Sequence, residues 1–91
     1  MPQAPKASQA ESLNKIVAPL VGTFYSTAEP GADPFVKIGQ KVSLDTIVCV
    51  LESMKLFSEV EAGTTGEIVE ILVKDGEFVE YGQPLFLVRS E

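Results

Sequence analysis

The chain has no histidine, no tryptophan and one cysteine among its 91 residues, and these absences remove several kinds of chemistry at once. An ordinary zinc site needs clustered Cys and His ligands, and a lone thiol closes no internal disulfide. Cys49 lies in the apolar run Ile47-Val48-Cys49-Val50-Leu51, where a thiol reads as a small buried hydrophobe. As a nucleophile it would have no histidine for a base. With no phosphate loop either, the sequence offers no catalytic constellation and no metal site. Positive charge is also scarce: seven basic residues against thirteen acidic ones give a formal net charge of −6. That balance argues against a surface for nucleic-acid phosphates. No apolar run approaches the roughly 18 residues of a membrane span, and the N-terminus lacks the charged-then-apolar order of a signal peptide. A soluble, reducing compartment is expected.

What is present fits one small domain. A chain of this length buries only about 60 to 65% of its extended surface, and with no covalent staple it depends on compact packing or a partner. Residues 1–14 are rich in Ala, Pro, Gln and Ser, show no period, and read as a mobile linker. The expected division is a linker over 1–15 and a domain over 16–91, and the abrupt start suggests a fragment of a longer chain. From Ile16 the texture changes to short apolar or alternating segments: Ile16-Val17, Gly22 to Tyr25, Phe35 to Ile38, Lys41-Val42, Ile47 to Leu51, Phe57 to Glu61, Gly66 to Val73, Glu77 to Val79 and Pro84 to Val88. Many short strands with turn signals at about 8 to 12 residue spacing predict an all-β barrel or sandwich. Glu67 to Val73 has some helix propensity, but its β-branched residues and the flanking Gly66 and Gly76 favour strand.

An internal repeat orders these segments. Val36 to Ser53 aligns without gaps on Val73 to Ser90 at an offset of 37, with five of eighteen pairs identical, Gly39 with Gly76 among them. Ala18 to Gly22 matches Ala62 to Gly66 at an offset of 44, so the first half carries seven extra residues between Gly22 and Gly39. Two halves of about four strands, each too small to bury its own apolar face, are expected to pack about an approximate two-fold into one flattened barrel. The crossover between halves then lies at one end and both termini at the other. The insertion falls within Tyr25 to Phe35, an exposed loop stiffened by Pro30 and Pro34.

The crossover contains Glu52-Ser53-Met54-Lys55-Leu56, a lysine between two large apolar residues. With strands on either side, Ser53 to Leu56 is left for the turn. A two-residue hairpin turn wants Asn-Gly or a similar pair, because both central residues need positive φ. Met54-Lys55 is poor chemistry for that geometry, and departures of this kind point to functional or strained sites.

At this point the residues resemble a known family. Leu51 to Leu56 resembles the biotin attachment sequence of biotinyl domains, usually Glu-Ala-Met-Lys-Met or Glu-Ala-Met-Lys-Leu. Ile16 to Val88 resembles the carboxyl carrier family of bacterial and plastid acetyl-CoA carboxylases, with Ala18 to Tyr25, Gly39 to Val42 and Gly82 to Phe86 matching its pattern. The resemblance implies a flattened barrel or sandwich of two four-stranded antiparallel sheets, with the inserted loop as a "thumb". It implies covalent biotin on Lys55, joined by a biotin protein ligase, with Met54 and Leu56 as a recognition surface. The biotin would be carboxylated by a biotin carboxylase and carried to a carboxyltransferase that makes malonyl-CoA for fatty acid synthesis, in the cytoplasm or, in a plant, the plastid stroma. The domain itself would be a carrier without catalytic residues. Thr27 matches the thumb residue whose hydroxyl contacts the biotin ureido ring. Ser53 stands where the family usually has Ala, and Leu44-Asp45 where it often has Gly-Asp. Two other readings compete. Lipoyl domains share the fold but typically place Asp directly before the lysine and lack the thumb; a non-carrying interaction module would leave Lys55 unmodified.

Overall fold

The computed structural model describes residues 13–29 and 31–90. In chain order the strands are β1 (Leu13–Val17), β2 (Gly22–Tyr25), β3 (Lys41–Val42), β4 (Ile47–Ser53), β5 (Leu56–Glu61), β6 (Gly66–Ile71), β7 (Phe78–Val79) and β8 (Pro84–Arg89). They form two four-stranded antiparallel sheets, ordered β1-β8-β6-β3 and β5-β4-β2-β7. Side chains alternate across each strand, so one face of each sheet turns inward. Ile16, Phe24, Leu51, Ile68, Leu85, Phe86 and Val88 meet there as a single apolar core. Phe24 and Phe86 approach from opposite sheets with ring centroids 5.9 Å apart, tilted by 54°, a favourable aromatic geometry. Gly66 to Ile71 forms a strand, as its β-branched residues favoured.

The repeat is visible in the hydrogen bonds. Gly39 N–H donates to the Ile68 carbonyl at 2.7 Å, and Gly76 N–H donates to the Phe24 carbonyl at the same distance. Phe24 N–H meets the Glu77 carbonyl as Ile68 N–H meets that of Gln40. Side chains repeat as well: the Gln40 and Glu77 Oε1 atoms accept from the Lys37 and Lys74 amides. Offsets of 37 and 44 therefore map β2 on β6, β3 on β7, β4 on β8 and β1 on β5, and carry one sheet order into the other. Each sheet draws two strands from each half of the chain. Neither half completes a sheet without the other.

The same operation separates the chain ends from the β4–β5 turn. Asn14 Nδ2 donates to Ser90 Oγ at 2.6 Å and to Thr64 Oγ1 at 3.3 Å, which gathers both ends at the β5–β6 loop. The turn lies at the other end of β5, a strand of six residues, or roughly 20 Å away. This is the polar arrangement expected from the repeat.

Of the flattened barrel or sandwich expected, the sandwich is the form found, since no ladder joins the two sheets among the described residues. Two expectations need correction. Phe35 to Ile38 is not a strand. Phe35 N–H donates to Ser26 and Lys37 N–H to the Gln40 side chain, so the local loop satisfies both donors and neither enters a ladder. Finally, β1 begins at Leu13 rather than Ile16, pairing Leu13, Asn14 and Lys15 with β8. The remaining linker assignment lies outside the described residues, as does Pro30.

A register shift between Ile47 and Cys49 lets Val48 and Cys49 both face the core. Burial pushes the Cys49 thiol up from its ordinary 9.0 to about 12. The folded protein thus keeps a proton that the unfolded chain releases first. This contribution to stability is complete below pH 9.0 and is lost as pH rises towards 12, at no more than about 1.4 kcal/mol per pH unit. Urea unfolding across that range should show the decline, and Cys49→Ala should show a shallower one. Gly39 and Gly76 adopt φ of 94° and 84°, and a Cβ on either would meet nothing within 4 Å. Their replacement by Ala should therefore cost only the left-handed backbone penalty, about 1 to 2 kcal/mol each. Denaturation midpoints for the two variants should fall by similar amounts.

Candidate functional site

The site is built on β4 and β5. Their register runs from Cys49 opposite Val60 to Ser53 opposite Leu56, so only Met54 and Lys55 lie between paired residues. Both have positive φ, 54° and 68°, the signature of the tight I′ hairpin turn, whose twist matches the flanking strands. A left-handed conformation costs a non-glycine residue roughly 1 to 2 kcal/mol. The poor turn chemistry seen in the sequence is thus real, and the conformation is held from below. Val48, Cys49 and Leu51 in β4 are fully buried, and the Glu52 carboxylate accepts the Lys55 amide at 3.1 Å.

A two-residue turn leaves its side chains nowhere to hide. Lys55 is exposed, and its ammonium makes no ion pair with any described residue. Met54 is 91% and Leu56 72% exposed. Ser53 is half-buried at the last rung of the ladder. Ser53, Met54 and Leu56, expected around the lysine, therefore form one continuous tip with it.

Thr27 is placed separately, in the inserted loop. An isolated bridge joins Thr27 to Pro34, Phe35 N–H donates to the Ser26 carbonyl at 2.8 Å, and Ser26 N–H donates to Asp75 Oδ1 at 2.6 Å. These contacts close the loop at its base and anchor it to the β6–β7 connection. Across the sheet, Tyr25 stands opposite Val50 and Val50 opposite Glu59; the next row is Thr23, Glu52 and Phe57. The intervening Phe24 and Leu51 are buried in the core, so both rows face outward. Val50 is nonetheless only 6% exposed. The loop covers it, leaving a groove of about 560 Å³ lined by Thr27, Glu29 and Ala32 on the loop and by Tyr25, Val50 and Phe57 on the sheet.

Phe57 links the two parts, since it lines the groove and stands two residues after Lys55, about 7 Å along the strand. The Thr27 hydroxyl donates to the Glu29 carbonyl at 3.0 Å, which leaves its lone pairs as acceptors. Glu52, Val50, Phe57 and Glu29 were not singled out from the sequence. The signal for Phe57 was there: an aromatic at an outward position of an alternating strand. For Glu52 it was a carboxylate three residues before the lysine.

A family model described as biotin-requiring enzyme matches residues 14–88. The chain belongs to this family. Relatives named biotin carboxyl carrier protein of acetyl-CoA carboxylase include one from Nostoc sp., 42% identical over 89% of this chain and 44% of its own length. Another, from Pyropia yezoensis, is 49% identical over 82% of this chain and 48% of its own. A chloroplastic one from Arabidopsis thaliana is 48% identical over 78% of this chain and 28% of its own. The chain thus spans less than half the length of each of these relatives. A long-chain acyl-CoA carboxylase structure matches 87% of this chain and 7% of its own with a TM-score of 0.72 at 24% identity. The Kluyveromyces lactis urea carboxylase structure matches 96% of this chain and 7% of its own with a TM-score of 0.70 at 22% identity. These two likenesses show the fold alone.

Relieving the strain at the tip should stabilise this biotin-requiring domain. Met54→Gly removes a side chain that buries almost nothing and accepts positive φ freely. Its urea midpoint should rise, corresponding to about 1 kcal/mol.

Proposed function

We propose that this chain is the biotin-accepting carrier domain of an acetyl-CoA carboxylase, modified at Lys55. The observation that carries the reading is a lysine without an ion partner among the described residues, exposed at the tip of a strained I′ turn, at the pole opposite Asn14 and Ser90. An amine that is to attack an activated acyl group must be reachable and free of a competing carboxylate. The tip supplies both conditions, and a biotin protein ligase supplies the base that the domain lacks. Amide formation also removes a charge from between Met54 and Leu56, whose exposed apolar surfaces suit recognition by the ligase.

The residues present fit biotin. Lys55 would hold it covalently, and the groove beneath the thumb is within the usual 300 to 1,000 Å³ of small-molecule sites. Val50, Tyr25 and Phe57 give that groove an apolar floor and Thr27 gives it a polar edge. When bound, biotin supplies a ureido ring that accepts a carboxyl group and gives it up again. Everything else in the reading is presentation. Tethering at the far pole lets Lys55 swing between a biotin carboxylase and a carboxyltransferase, with the local concentration set by the linker. On this reading the product is malonyl-CoA, formed in the cytoplasm or, in a plant, the plastid stroma. Among the described residues no helix is long and apolar enough to cross a membrane.

The matched family model does not by itself separate biotin from lipoyl carriers, which share the fold; Met54, where lipoyl carriers typically have Asp, supports biotin. Intact mass decides between them. After incubation with biotin protein ligase, ATP and biotin, the wild-type mass should rise by one biotinyl group, and Lys55→Arg should stay unmodified with an unchanged melting temperature. A lipoyl adduct would end the biotin reading, and an unlabelled wild-type chain would favour an interaction module.

A further inference from the structure

The groove beneath the thumb is acidic as well as apolar. Glu29 and Asp75 line it, and no lysine or arginine does so among the described residues. Glu52 and Glu59 flank its floor on the same outward face, each in a cross-strand row with a lining residue, Phe57 or Val50. Lys55 stands at the end of this face, two residues before Phe57, and amide formation would remove its charge. A modified domain would then present Glu29 and Asp75 in the lining and Glu52 and Glu59 beside it, with no lysine or arginine in the lining among the described residues, around a pocket whose floor is Val50, Tyr25 and Phe57.

We infer that this groove is selective by charge: it holds the neutral ring of a biotinyl group and expels the ring once it bears a carboxylate. The inference rests on the reading of Lys55 as the attachment site. From Lys55 the side chain and the acyl arm span about ten single bonds, on the order of 12 Å extended, and the groove begins at Phe57. A neutral ureido ring there gains apolar burial against the three floor residues and meets hydroxyl and carboxylate acceptors for its N–H groups. Loading replaces one ring N–H by N–CO2⁻, with bicarbonate as the carbon source and ATP split to ADP and phosphate. The loaded ring keeps one N–H but has lost the other and gained an anion, so it offers these acceptors one donor fewer and faces carboxylates of its own sign. Two carboxylates several ångströms away disfavour such an anion by roughly five- to tenfold in dilute salt. The groove thereby retains the cargo arm when empty and frees it when full, which is when the arm must reach the second active site.

The Asp75 carboxylate also accepts the Ser26 amide through Oδ1, so Asp75→Asn preserves that bond while removing the charge. The test uses the biotinylated domain labelled with ¹⁵N, reading the amide shifts of Gly31, Ala32 and Phe57 by NMR in unmodified, biotinylated and carboxylated forms. The carboxylated form is made with biotin carboxylase, MgATP and bicarbonate. Biotinylation should move these three signals, and carboxylation in 20 mM salt should return them most of the way to their unmodified positions. In the Glu29→Gln/Asp75→Asn double variant, or in 1 M salt, the carboxylated form should stay shifted. Signals indifferent to biotinylation, with the adduct present by mass, would overturn occupancy of the groove while leaving attachment at Lys55 intact. Signals that stay shifted on carboxylation of the wild type, or that return equally in the double variant, would overturn selection by charge. No adduct by mass would instead be the failure of the attachment reading itself.

Discussion

The conformation of two residues, Met54 and Lys55, constrains the rest of the domain. Both occupy the left-handed region without the glycine or asparagine that makes it inexpensive, for a combined cost of roughly 2 to 4 kcal/mol. Small domains have a net stability of only about 5 to 15 kcal/mol, so this is a sizeable share. The turn survives because its stem is over-determined. β4 contributes three of the most deeply buried side chains in the molecule, its register with β5 is fixed up to the last rung, and Glu52 ties down the amide of Lys55. A longer or glycine-containing turn would relieve the strain and would also let the tip fold back on the sheet. The tight turn keeps the lysine backbone fixed and sends its side chain into solvent.

The two-fold repeat places this turn. Under it, β4 and β5 correspond to β8 and β1, so the continuous β4–β5 turn occupies the position equivalent to the break between the chain ends. Only one of the two equivalent positions can be a turn, and the other must be where the chain enters and leaves. The separation of lysine and tether is therefore a consequence of topology, with no dedicated residue needed to enforce it. What breaks the symmetry is the thumb. The seven extra residues between Gly22 and Gly39 cover Val50 on one outer face, while the other sheet has no counterpart. Asymmetry is confined to the sheet that carries the lysine.

Much of this was legible in the residues. Alternation and turn chemistry indicated short strands, the offsets of 37 and 44 indicated how the halves relate, and the mismatch of Met54-Lys55 with a hairpin turn marked the strained tip. Three features were not. Leu13 to Lys15 pair through their backbone while their side chains stay exposed, so no apolar period announces the strand. Phe35 to Ile38 has a strand-like composition, but Ser26 before it and the Gln40 side chain after it take the Phe35 and Lys37 amide hydrogens. Val50 reads like any core valine in an apolar run, and only the register shows that it faces outward beneath the thumb. For the first and the last the deciding fact is a partner distant in sequence; for the second it is how the loop closes locally. Thr27 was legible as a thumb residue, yet the use of its hydroxyl proton by Glu29 depends on how the loop closes.

Charge gives the tip a second consequence. The free domain presents Lys55 as an isolated cation on a face otherwise furnished with Glu52 and Glu59. A partner that recognises the unmodified tip can combine apolar contact at Met54 and Leu56 with attraction to the ammonium. Acylation leaves the apolar contacts but removes the cation, so the same face becomes uniformly acidic. A partner suited to the modified tip then needs a basic rim around an apolar centre, and that rim is penalised by the unmodified form. Discrimination between the two forms thus comes from one charge on a fixed turn, with no change in backbone conformation. That economy is available because the strained hairpin holds the lysine exposed, with the Glu52 carboxylate turned to its backbone amide.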